Sequence, residues 1–163
     1  MHSLKERIVC AALRLSIGFI LLWAFLDKTF GLGFATTTEK SWLSGISPTE
    51  GFLKMATHGP LKNFYQSLAG SPVVDWLYMA GLLLIGLALI LGIGMKIAGY
   101  SGALLMFLMW SALLLPKNNP ILDEHIVYLF VFLSLDSVKA GRYFGLGKWW
   151  SNTGLVKKYP FLE

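Results

Sequence analysis

The sequence predicts an all-α integral membrane protein: a four-helix bundle with short interfacial helices in its outer first loop. Three observations point there. Hydrophobic residues make up 55% of the 163 and charged residues 14%, against about 25% charged in soluble domains. The apolar residues come in long runs that are apolar on every helical face, which lipid accommodates and a soluble core of this size does not. Basic residues flank those runs instead of gathering on one face, a distribution that suits membrane topology and not nucleic acid.

Four runs approach the length of about 20 residues that crosses about 30 Å of hydrocarbon: residues 8–26, 72–95, 97–115 and 121–138. The first follows Lys5 and Arg7 as a signal peptide would, but it runs on without a small-x-small cleavage site and reads as a retained span. The fourth is the weakest, because Asp123, Glu124 and His125 occupy its start. Residues 27–71 form an outer loop and 139–163 a tail, the whole being one domain. In the loop, Ser47-Pro48-Thr49-Glu50 has the spacing of a capping box, and Gly59-Pro60 ends that helix. A second short helix follows from Pro60, with Leu61, Phe64, Tyr65 and Leu68 on one face and Gly70 at its close. Ser71-Pro72 opens the second span. Gly81, Ala88, Gly92, Gly99 and Ala103 are the small residues expected at helix contacts. Trp149 and Trp150 in the tail read as interfacial anchors.

Nine of the fourteen Lys and Arg residues fall on the side that carries both termini, which makes that side cytoplasmic. Cys10 is the lone cysteine, so the chain has no internal disulfide and no cysteine zinc site.

Charged residues at membrane depth are costly and therefore informative. Arg14 and Asp136 lie at similar depth in the first and fourth spans and are expected to form a structural ion pair; the alternative is that Arg14 snorkels to the headgroups. On the outer side Asp27 and Lys28 meet Asn118, Asn119, Asp123, Glu124 and His125, with Trp23 and Trp110 as aromatic walls. Acid, imidazole and amide thus converge where a polar molecule meets the lipid. His125 is the best proton carrier of the group and His58 a poorer one. Caps and ion pairs alone are the bland alternative, since Asn119-Pro120 is itself a good helix start. Asp123, Glu124 and His125 are consecutive and diverge around a helix, so no metal site is evident.

Several stretches carry a family resemblance: Arg14-Leu15 through Gly18 to Asp27-Lys28, the run from Leu104 to Trp110, Asn118-Asn119-Pro120 with Asp123-Glu124-His125 and Tyr128, and Gly141-Arg142 to Gly147-Lys148-Trp149-Trp150. Together they resemble the DoxX family over nearly the whole chain and, within it, DoxD-like large subunits of thiosulfate:quinone oxidoreductase. The resemblance implies four membrane helices in the cell membrane of a prokaryote and oxidation of thiosulfate to tetrathionate with electrons passed to a membrane quinone. It implies Asp123, Glu124 and His125 as catalytic proton carriers and Lys28, Lys117, Asn118 and Asn119 as substrate-binding residues. Trp23, Trp110 and Tyr128 would border the quinone. The expected partners are other subunits of a membrane complex, lipid and quinone, with a flavin admitted as a carrier. The competing expectation is a non-catalytic structural subunit of such a complex.

Overall fold

In the computed structural model, which describes residues 3–116 and 119–163, the described residues form helices and turns and no strand. Four long helices make the body: α1 (Leu4–Phe30), α3 (Pro72–Leu91), α4 (Met95–Ala112) and α5 (Glu124–Ser137). Short α2 (Lys62–Ser67) lies in the first loop, and α6 (Gly147–Ser151) and α7 (Gly154–Lys158) in the tail. The body is built of two pairs, α1 against α3 and α4 against α5, joined mainly through α3 and α4. Ile17, Leu21, Met79, Leu82, Leu89, Met106 and Phe132 meet in one core.

Two of these helices, α1 and α3, are long and apolar enough to cross a membrane. Only 28% and 33% of their most apolar windows are buried, so their outward faces present residues such as Phe19, Ile20, Leu77 and Leu84 to the surroundings. A soluble core helix would have those faces covered. At 1.5 Å per residue α5, with 14 residues, extends only about 21 Å. The fourth run is therefore shorter than the 121–138 expected, because the helix starts late. Asn119 does not cap it: its side chain accepts from the Ile121 and Leu122 amides in a local turn. Asp123 is the cap.

Close approach within each pair depends on glycine. A Cβ on Gly18 or Gly86 would lie about 3 Å from the facing helix, against Leu89 and Leu22 respectively. On α4 a Cβ on Gly99 would crowd Asp136 and one on Gly102 would enter the Phe132 ring. Gly81, expected at a contact, has nothing within 4 Å. The helix presents a different face, and Gly86 does the work assigned to it.

The tail end of the body is closed around Arg14, which is fully buried. It does not pair with Asp136, and it does not snorkel. Its guanidinium donates from Nη1 to the carbonyls of Leu89 and Ile90 and from Nη2 to those of Tyr143 and Phe144. The reason lies in the end of α3, whose last four carbonyls lack helical partners. Gly92, with φ +74°, turns the chain so that its own amide and that of Ile93 both reach Ala88 O. Leu146 N–H takes Leu91 O. Arg14 supplies the two left over, placing a cation at the negative end of the helix dipole. Gly92, Gly141 and Gly145 pack so tightly here that a Cβ on any of them would strike backbone or the guanidinium. Asp136 instead lines a cavity beside the α4 and α5 ends.

The loop end is covered by residues 31–71. Asp27, 2% exposed, accepts from the Phe34 and Ala35 amides and fixes the turn that leaves α1. Asp75 accepts from the Ser47 and Thr49 hydroxyls at 2.8 and 2.5 Å. The expected capping box is half formed: Ser47 accepts the Glu50 amide, but the Glu50 carboxylate turns to Lys54. The first short helix is a single turn that widens to π geometry over Phe52–Ala56. In α2 only Tyr65 of the expected apolar face is buried, its hydroxyl 2.5 Å from Ser111 Oγ of α4. The loop thus caps the body at α3 and α4.

Candidate functional site

Between the two helix pairs, toward the loop end, lies an open cavity of about 180 Å³. Its walls are apolar, with Leu21 of α1, Leu82 of α3 and Met106 of α4 among them, and it carries three polar side chains: Tyr78 of α3 and His125 and Tyr128 of α5. The gap exists because α1 and α5 face each other without the tight packing that joins the members of each pair.

His125 is oriented by its neighbour in the cap. One carboxylate oxygen of Asp123 accepts the His125 backbone amide at 3.0 Å, the capping bond of α5, while the other lies 2.9 Å from His125 Nδ1. Only 10% of the Asp123 side chain and 13% of the His125 side chain are exposed. An ionised carboxylate at this distance places the ring proton on Nδ1, which leaves Nε2 with its lone pair. The one side-chain hydrogen bond of His125 among the described residues is that between Nδ1 and Asp123. The arrangement is a carboxylate–imidazole pair on the wall of an apolar cleft, with Nε2 placed to exchange a proton.

The other expected site residues divide. Glu124 is exposed in the first turn of α5 and does not line the cavity. Asn119 is exposed and occupied by its own turn. Lys117 and Asn118 lie outside the described residues. Lys28 does not line the cavity; it donates to Pro48 O at 3.3 Å with its ammonium 6.0 Å from the Tyr78 ring centre. Of the three aromatic residues, Tyr128 lines the cavity and the two tryptophans do not. Trp23 packs with Phe19 and Phe34, and Trp110 donates its indole N–H to Ile121 O, tying α4 to the chain entering α5.

Tyr78 is the residue that sequence reasoning missed. It lies one turn after Asp75, and a phenol that far into an apolar helix is the one sequence signal by which it could have been found, since buried hydroxyls seek partners. His58, the poorer proton candidate, is held in the loop by Ala56 O and Ala112 O, away from the cavity. Among the described residues no three His, Cys, Asp or Glu side chains gather as a metal site would require. Comparison with family models, with curated proteins and with solved structures gives no match, so the residues and their geometry carry the functional argument.

Proposed function

We propose that this chain is a four-crossing membrane subunit of a quinone-linked redox complex, of the DoxX type that its sequence resembles, with the tail end in the cytoplasm. The observation that carries the reading is the Asp123–His125 pair on the wall of the apolar cleft. A quinone offers an apolar ring with two carbonyl oxygens, and its reduction to quinol consumes two electrons and two protons. The cleft matches the first requirement and His125 the second. Nε2 of the protonated ring would donate to a carbonyl oxygen, with Asp123 holding the ring's orientation. Tyr78 and Tyr128 are the further hydroxyls on the same walls. Thiosulfate as donor, two molecules giving tetrathionate and two electrons, rests on the resemblance.

The short α5 is compatible with crossing if the polar segment before Asp123 sits at headgroup depth, where a local thinning of the bilayer covers the difference. A second reading, a structural subunit without chemistry, is favoured by one observation: Arg14, Asp27 and Asp75 all bind backbone or hydroxyl groups and hold the fold. Thiosulfate-dependent reduction of a short-chain quinone by the purified chain with its co-purifying subunits separates the two. We expect turnover that falls about a hundredfold or more in His125→Ala with the complex still assembled. Absence of turnover in the intact complex removes the thiosulfate assignment, and loss of assembly in His125→Ala favours the structural subunit.

A further inference from the structure

A second cavity, separate from the first, lies at the tail end. It measures about 280 Å³ and is bordered by Lys96 of α4, Asp136 of α5, Lys139, Arg142, Trp150 and Glu163. Behind its glycine wall of Gly92 and Gly141 lies the buried Arg14 guanidinium, close enough that a Cβ on Gly92 would stand 3.1 Å from Nη1. Arg14 has no carboxylate partner there, and its Nε is buried without a hydrogen bond among the described residues. Four cations thus surround two acids. One of the acids already behaves as a ligand: the Glu163 carboxylate is bound by Arg142 and lies 3.8 Å from Lys139 Nζ, while its backbone carbonyl accepts the Lys96 amide. The pocket is therefore shaped to hold an anion between Arg142 and Lys139, and the tail supplies one. Lys139 and Arg142 remain 57% and 38% exposed, so an outside anion has access.

We infer that this pocket binds the phosphodiester headgroup of an acidic phospholipid, in competition with Glu163. The lipid source rests on the membrane reading above and not on the quinone chemistry. Under that reading the pocket lies at the cytoplasmic surface, where anionic lipids are held by basic residues near helix ends, and Trp150 sits at the depth an interfacial tryptophan takes.

The test uses the full-length chain in detergent, titrated with phosphatidylglycerol or phosphatidylcholine and read by native mass spectrometry and by melting temperature. Selective 1:1 retention of phosphatidylglycerol is expected, weakened about fivefold by Lys139→Ala or Arg142→Ala and strengthened by Glu163→Gln. Arg142→Lys keeps the charge and guards against a folding defect; it should retain the preference. Equal binding of the two lipids, or a preference that survives both alanine variants, overturns the inference. Displacement of the lipid by millimolar inorganic phosphate would assign the site to a free anion and overturn the lipid source. Labelling of Lys139→Cys, in a chain that also carries Cys10→Ser, from outside intact cells would refute the topology and with it the lipid source, a result distinguishable from failure of selectivity in detergent.

Discussion

At the tail end a fully buried guanidinium is bound by four carbonyls and hemmed in by glycines, whereas at the loop end a nearly buried imidazole keeps one nitrogen free beside an open cleft. Both are basic groups in apolar surroundings. The first completes the end of a helix and has every reason to stay where it is; the second is oriented by one bond and left able to react. Charge at depth therefore does not by itself mark function. What separates the two is whether the polar atoms are consumed by the backbone.

Four substitutions and one control test that contrast, in order of expected effect. Arg14→Ala should cost about 3 kcal/mol or more, since it strands the Leu89 and Ile90 carbonyls; chemical unfolding in micelles measures it, and a near-neutral result would mean that water replaces the guanidinium. Gly102→Val drives a methyl into the Phe132 ring and should cost about 2 kcal/mol. Gly81→Ala serves as its control and should be neutral or stabilising by up to about 1 kcal/mol. Asp75→Ala should cost about 1 to 2 kcal/mol and speed hydrogen exchange over residues 47–58, because it frees Ser47 and Thr49. Asp123→Asn should change stability least, within about 0.5 kcal/mol, because Asn caps as well as Asp. It should still lower quinone turnover, since an amide no longer fixes the proton on Nδ1.

Much of the architecture was legible. Apolar runs located the four long helices, and Ser71-Pro72 opened α3 where expected. The start of α5 was not legible, because Asn119-Pro120 and Asp123 are equally good caps on sequence grounds and only the local turn at Asn119 decides between them. Arg14 stands out in the sequence as a charge among apolar residues, but its partners do not. Carbonyls leave no trace in sequence, so a cation that binds backbone looks like one lacking an acid. Gly81 and Gly86 show the same limit for packing: composition says that small residues lie on α3, and the rotation of the helix says which one is used. At the site, His125 with Asp123 was visible as a cluster, while Tyr78 had to be found by its position across the cleft.

The most direct measurement is photo-crosslinking of a quinone carrying a reactive ring substituent, mapped by peptide sequencing in wild type and His125→Ala. The account predicts labelling on α5 around Tyr128 and on α3 around Tyr78, lost when His125 is removed while the melting temperature holds. Labelling confined to other surfaces, or unchanged in His125→Ala, would contradict it.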